Sequence, residues 1–286
     1  MRDLSGDHRW LSLNTATVRA QGDLLAIVEA AARHGIRAIS PWRDQVAAVG
    51  LDRAARAVRD AGLDLSGYCR GGMFTGAPDR RQEIIDDNRR AIEEAATLGA
   101  PCLVLVVGGL PQFSRPGSPP SRDIVAARRQ VVDMLGAVME HAAAAGMPLA
   151  LEPLHPAYAA DRACVNTLGQ ALDICDVIDP AASGRLGVAV DTYHVWWDPA
   201  LERSILRAGR RILAFHVCDW LVPTTHLLED RGMMGDGIID IRRIRGLVEH
   251  EGFAGYCEAE ILSRRWWAEP MGTVIRTCIE RYRTVV

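Results

Sequence analysis

The 286-residue sequence contains no lysine; all 33 of its basic residues are arginine. A chain without lysine forms no Schiff base, anchors no pyridoxal phosphate and carries no phosphate-loop lysine. Long apolar runs are also missing, with none near the ~20 residues that a membrane-crossing helix needs. The stretch from Met1 to Trp10 is polar and charged and carries no targeting pattern. Paired cysteines are absent too. Cys69, Cys102, Cys164, Cys175, Cys218, Cys257 and Cys278 stand singly with no C-x-x-C, which points to free buried thiols in a reducing cytoplasm. No G-x-G-x-x-G follows the first strand pattern, which argues against a dinucleotide-binding doubly wound sheet. Net charge is only −3 with both signs interspersed, so no field is built for a polyanion, and nucleic acid is not expected as a partner.

What is present is one repeated unit: a short β-rich run, a loop, an amphipathic helix, then Gly or Pro before the next run. The predicted strands are Trp10–Asn14, Ile36–Ser40, Leu63–Tyr68, Cys102–Val107, Pro148–Leu154, Leu186–Asp191, Ile212–Cys218 and Gly255–Leu262. Helical patterns cover Asp23–His34, Leu51–Ala61, Arg80–Leu98, Arg122–Ala145, Thr167–Ile178, Pro199–Ala208, Ile241–Glu251 and Pro270–Tyr282. Gly35, Gly62, Gly99, Gly146 and Gly252 stand where helix-ending glycines belong. Runs such as Cys102–Val107 are apolar on both faces, as parallel strands covered by helices should be. Eight evenly spaced units predict an α/β fold, a single (β/α)8 barrel spanning residues 1–286. The Pro/Ser/Gly stretch from Pro111 to Ser121 reads as a surface loop. The longest irregular segment, from about Asp219 to Gly237, follows the seventh strand and has the length of a functional loop.

In such a barrel the chemistry belongs at the C-terminal ends of the strands, and ionisable residues collect there. The fifth strand carries Glu152 in the apolar run Leu-Ala-Leu-Glu-Pro-Leu. The sixth ends in Asp191 and His194, the seventh in His216 and Asp219, and the eighth holds Glu258 and Glu260. A carboxylate in an apolar strand must be paired, hydrogen-bonded or bound to metal, because an isolated buried charge is too costly. Any one such residue alone is more often a cap, an ion-pair partner or a satisfied core histidine. Four successive strands each offering an oxygen or imidazole ligand instead point to one hard or borderline divalent ion such as Mn²⁺, Co²⁺, Mg²⁺ or Zn²⁺. The expected ligands are Glu152, Asp191, His216 and Glu260. Glu258 lies on the same strand face as Glu260 but farther from the C-terminal end, so Glu260 is preferred.

The blocks Leu-Glu-Pro-Leu, Asp-Thr-Tyr-His, Phe-His-Val-Cys-Asp, Gly-Asp-Gly-Ile-Ile-Asp and Gly-Tyr-Cys-Glu-Ala-Glu resemble the xylose isomerase-like TIM barrel superfamily of sugar phosphate isomerases and epimerases. The stretch from Phe215 to Trp267 looks closest to inosose (keto-inositol) isomerases, with the pair Trp266-Trp267 after the eighth-strand Glu. The likeness covers the second half of the chain well and the first half by architecture only. It implies metal ligation by Glu152, Asp191, His216 and Glu260, acid/base roles for Glu152 and Glu260, and substrate contacts from His194 and Arg231. Two positions depart from the pattern: Cys218 stands where His-x-Lys-Asp often carries lysine, and His155 where asparagine often follows Glu-Pro. Both bear on the substrate rather than the metal.

The reaction so implied is proton transfer beside a carbonyl of a small keto-sugar or keto-polyol, through an enediolate with two glutamates as acid and base. His155, Arg70 beside Gly71-Gly72, and Trp267 are further candidate substrate contacts, and the tryptophans 42, 196, 197, 220, 266 and 267 are candidate pocket walls. A metal-dependent lyase, dehydrating its substrate or cleaving an oxidised C-glycoside, shares the first step. A sugar-binding barrel without catalysis is the non-enzyme alternative. The DNA-repair endonucleases of the superfamily need further histidines from the early strands, which strands one to four here lack. The expected partner is therefore a small carbohydrate or polyol, with no nucleic acid and no membrane; the tryptophans lean towards a homodimer or tetramer.

Overall fold

The computed structural model describes residues 1–111 and 121–286, so the loop expected at Pro111–Ser121 falls almost wholly outside the described residues. Eight parallel strand positions close on themselves: β1 (Leu11–Asn14), β2 (Ala38–Ser40), β3, β4 (Leu103–Val106), β5 (Leu149–Leu151), β6 (Leu186–Asp191), β7 (Ile212–Val217) and β8 (Cys257–Ala259). β8 pairs with β1, which joins the end of the chain to its start. β3 comes in two arms. Asp64–Leu65 pairs with β2, and Tyr68–Gly72 pairs with β4. The seam between the arms is closed by the Ser66 N–H donating to the Ile39 carbonyl and by the Trp42–Cys69 bridge. The expected (β/α)8 barrel is the observed fold.

β4 and β6 are buried along their whole length, as their two-faced apolar character requires. Helices Leu24–Arg33, Leu51–Asp60, Arg81–Leu98, Ile124–Ala144, Leu168–Ile178, Leu201–Ala208, Ile241–His250 and Met271–Thr284 wrap the barrel, each within a few residues of its predicted span. Asp23, Asp123, Thr167 and Asp240 cap four of them by accepting from the N–H three residues on. All five glycines read as helix stops have positive φ. Strand ends were over-extended at the sequence level: β5 stops at Leu151 and β8 at Ala259, because the residues beyond them turn into the loops that carry the site. The seven cysteines are buried and unbridged. Among the described residues no helix is long and apolar enough to cross a membrane.

The correction at β3 matters for function. The third strand was expected to end at Tyr68, but it runs on to Gly72, placing Arg70 within the strand. Gly71 and Gly72 make this possible. Gly72 has φ +104°, and a Cβ there would lie 2.1 Å from the Val106 carbonyl oxygen. Asn88 clamps the same peptide, accepting from the Gly72 N–H at 2.6 Å and donating to its carbonyl at 2.8 Å. Gly72→Ala is therefore expected to cost at least about 2 kcal/mol in chemical denaturation, because backbone strain and a backbone clash add. A loss within the surface-substitution range of about 0.5 kcal/mol would show that β3 and β4 do not approach this closely.

Candidate metal centre

Barrel register brings the ionisable residues to one level. Asp191, the last residue of β6, pairs with His216 of β7, and His216 pairs with Glu258 of β8. Glu152 and Glu260 lie one step past their strands and extend the ladders, their N–H groups donating to the Leu105 and Val217 carbonyls. As a result one ligand atom from each of Glu152, Asp191, His216 and Glu260 lies within 4.8 Å of the others, and all four residues are buried. His216 Nδ1 is 2.9 Å from Glu152 Oε1 and 3.9 Å from Glu260 Oε2.

Three carboxylates and an imidazole this close and this deep need positive charge, and one fixed cation is provided. Buried Arg231 donates through Nη1 to Asp191 Oδ2 and to Glu260 Oε2, both at 2.9 Å, while its guanidinium carbon sits 4.6 Å from the centre of the Tyr193 ring. The loop that delivers Arg231 is ordered by Asp219. That carboxylate accepts from the N–H groups of Trp220, Gly235, Gly237 and Ile239, tying the Gly-Asp-Gly turn to the end of β7. Asp219–Trp220 and Arg231–Gly232 pair as a short hairpin within the segment read as irregular from the sequence.

One guanidinium does not balance three carboxylates, and the donor set fits a divalent ion well. Carboxylate oxygens and a single imidazole, that of His216, suit a hard or borderline cation. Its Nδ1 faces the cluster. Its Nε2 has no hydrogen-bond partner, and the nearest carboxylate to it is Glu258 at 3.6 Å. Glu258 is itself held by Asn14 Nδ2 at 2.6 Å and the Ser66 hydroxyl at 2.8 Å, which explains why it stands outside the ligand group. Asn14 also donates to Glu260 Oε1 at 3.2 Å and accepts from Trp42 Nε1 at 2.8 Å.

Electrostatics record the same crowding. Burial pushes the Asp191 carboxyl up to about 6 despite the pull of Arg231, and burial likewise raises Glu260. For His216 burial acts downward, but Glu258, Glu152 and Glu260 together outweigh it and hold the imidazole well above its ordinary value. His194 goes the other way: burial, reinforced by Arg231, keeps it neutral. The sign for metal-free stability follows from Asp191. Its folded pKa exceeds the unfolded value of about 3.9, so between about pH 4 and 6 the native state binds more protons than the unfolded chain. This group therefore adds stability as pH falls through 6, with a slope of at most about 1.4 kcal/mol per pH unit. In chelator, the stability difference between wild type and Asp191→Asn is expected to shift in favour of wild type from pH 6.5 to 4.5; a difference flat across that range would contradict it.

A family model described as a xylose isomerase-like TIM barrel matches residues 28–283. The chain belongs to that family. Among solved structures, protein SMc04130 from Sinorhizobium meliloti 1021 is 58% identical, with a TM-score of 0.91 over 96% of this chain and 98% of its own. The IOLI protein with a bound zinc atom is 21% identical, with a TM-score of 0.77 over 94% of each chain. The 3-keto-D-glucoside 4-epimerase YcjR from E. coli is 17% identical, with a TM-score of 0.75 over 96% of this chain and 99% of its own. These last two likenesses show the shared fold. Comparison with curated protein sequences yields no match.

In this xylose isomerase-like barrel a cavity of about 320 Å³ opens above the centre. Glu152, Glu260, His194, Arg231 and Arg70 line it, together with Trp42, Tyr158 and Arg162. Two candidates from the sequence sit elsewhere. His155 packs its ring 4.6 Å from Trp220 and 5.8 Å from Trp197, and only its backbone N–H reaches inward, donating to His194 Nδ1 at 3.1 Å. Trp267 donates its indole N–H to the Ala16 carbonyl and does not line the cavity. Of the six tryptophans expected as walls, Trp42 alone lines the cavity among the described residues; Trp196, Trp197 and Trp220 belong to the aromatic cluster around His155 and Tyr193. Asn14, Ser66 and Arg162 were missed. Asn14 is an amide at the end of the short strand Leu-Ser-Leu-Asn, which is a readable signal; Arg162 lies in an aperiodic loop and offers none.

Proposed function

We propose that this barrel is a divalent-metal-dependent isomerase or epimerase of a small keto-sugar or keto-polyol, of the inosose type, with manganese as its ion. One observation carries the reading. Of the four clustered ligand candidates, Asp191 and His216 are sealed from the cavity, whereas Glu152 and Glu260 also line it. Two carboxylates that face both the cluster and the cavity, Glu152 just past β5 and Glu260 just past β8, support a reading in which both act on one bound substrate. Glu152, Asp191, His216 and Glu260 would hold the ion, which when bound supplies Lewis-acid polarisation of a carbonyl oxygen.

The chain's own residues then divide the work. One glutamate takes the proton next to the carbonyl, and the other returns one to the adjacent carbon or to the opposite face, passing through an enediolate. Arg231 opposes the upward push of burial on the Asp191 and Glu260 carboxyls and fixes their direction. His194, neutral and buried against Asp191, lines the cavity wall with both ring nitrogens engaged, Nδ1 by the His155 N–H and Nε2 by Arg231 Nη2. Trp42 and Tyr158 exclude water from one side. The cavity lies near the lower end of the range for small-molecule sites, in keeping with a single monosaccharide-sized guest.

The test is deuterium uptake from solvent into a panel of keto-polyols, followed by NMR with the manganese-loaded protein. Exchange at the carbon beside the carbonyl is expected, with a rearranged or epimerised product. Metal binding without any exchange would overturn the enzymatic reading, and a product lacking a β-substituent would reassign the protein as a lyase.

A further inference from the structure

Two arginines that line the cavity have no acidic partner among the described residues. Arg70 and Arg162 both line it, both are half-buried, and neither makes a side-chain hydrogen bond or ion pair with any described residue. Other half-buried and buried arginines of this chain are spent: Arg43 on Asp87 and Glu94, Arg211 on Asp176 and Asp179, Arg231 on Asp191 and Glu260. Burial is the main influence on Arg70, pushing against its charged form, and Arg162 is near enough to add repulsion. The carboxylates that pull the other way are already engaged, Asp44 with Arg19 and Glu152 with His216.

Charge balance sharpens the contrast. A divalent ion and Arg231 would together match the charge of the three carboxylates Glu152, Asp191 and Glu260. Arg70 and Arg162 remain in excess, opposed among the cavity-lining residues by Asp161, which is exposed and forms no salt bridge to either. Partly desolvated guanidiniums without an ion-pair partner carry a standing cost, which an anionic ligand relieves.

Both are held by rigid neighbours. Arg70 precedes the Gly71-Gly72 segment that packs on β4 and is clamped by Asn88. Arg162 lies over the Tyr158 ring, 5.7 Å from its centre, and directly before the Gly108–Ala163 bridge. We propose that Arg70 and Arg162 form an anion subsite of the cavity, so that the natural substrate is a keto-polyol bearing a carboxylate or a phosphate. The proton-transfer reading supplies the keto-polyol part of this; the anion comes from the two arginines alone. A planar, forked pair of guanidiniums matches either group.

The experiment uses manganese-loaded full-length protein and three probes that differ at one carbon: D-fructose, D-fructuronate and D-fructose 6-phosphate. Calorimetric titration is expected to show a charged probe binding about ten- to a hundredfold more tightly than D-fructose, with the better of the two identifying the anion. The preference, read as the ratio of charged-probe to D-fructose affinity, should vanish in the double variant R70Q/R162Q, and R70K/R162K should restore part of it. Circular dichroism confirms folding, and the lysine pair carries the test if the glutamine pair does not fold. Equal affinity for all three probes, no binding of either charged probe, or a preference that survives in R70Q/R162Q would overturn the subsite. Deuterium exchange read on the same samples separates the two ideas. Exchange without charge preference removes the subsite alone, and a charge preference lost in R70Q/R162Q without exchange removes the proton-transfer reading alone.

Discussion

Glu260→Gln is expected to slow solvent-proton exchange about 10²–10⁴-fold while leaving the barrel folded, and Glu152→Gln to do the same. That is about 3–5 kcal/mol of barrier for a change of one atom in each side chain. The size follows from position. Each carboxylate lines the cavity, and each also lies in the buried cluster, where Glu152 meets His216 and Glu260 meets Arg231 and Asn14. Glutamine keeps an oxygen for the cluster and for its hydrogen bonds but cannot take a proton from carbon. On the proposed shared proton path, the double variant is expected to fall little below the worse single one. Manganese content measured beside the rates separates lost acid/base function from lost metal. A variant that exchanges at the wild-type rate removes that glutamate from the pair.

The second large effect concerns Arg231. Arg231→Met is expected to lower the stability of metal-free protein by about 3–5 kcal/mol, because Asp191 and Glu260 would be left buried with their cation removed. Divalent manganese should restore much of that loss, since an ion among the same carboxylates supplies the missing positive charge. Wild-type protein, already partly neutralised by the arginine, should gain less from the same addition. Chemical denaturation with chelator and with manganese measures all four quantities. If the variant is as stable as wild type in chelator, or gains nothing extra from manganese, Arg231 does not neutralise the cluster.

The barrel was legible because its signal is repetitive: apolar strands, amphipathic helices and glycine stops recur in one order, and five of those glycines adopt the positive φ their places demand. The four-residue cluster was legible for a different reason. A carboxylate or imidazole inside an apolar strand is a costly exception, and Glu152, Asp191, His216 and Glu260 are such exceptions on four successive strands. The supporting residues were harder to read. Asn14 and Ser66 look like ordinary polar residues until closure of the barrel sets them against Glu258, some 240 and 190 positions away. His155 misled because adjacency to Glu152 in sequence does not fix ring direction; aromatic packing on Trp197 and Trp220 turns it away from the cavity. Arg162 was invisible since its meaning depends on facing Arg70 across a space that only the folded chain creates.

The arrangement also shows why several small features are shared between stability and chemistry. Asp219 spends its carboxylate on four backbone N–H groups, and the outcome is the placement of Arg231. Asn88 secures the Gly72 peptide, and the outcome is the placement of Arg70. Neither residue reaches the cavity, yet each sets the direction of a cation that does.

Diffraction from crystals soaked in manganese, read as anomalous difference density, asks most directly whether four side chains scattered along the polypeptide share one cation. One strong peak per chain, enclosed by the donor atoms of Glu152, Asp191, His216 and Glu260, is expected. Density at any other place, or an empty cluster at saturating manganese, would contradict the metal centre and with it the chemistry built upon it.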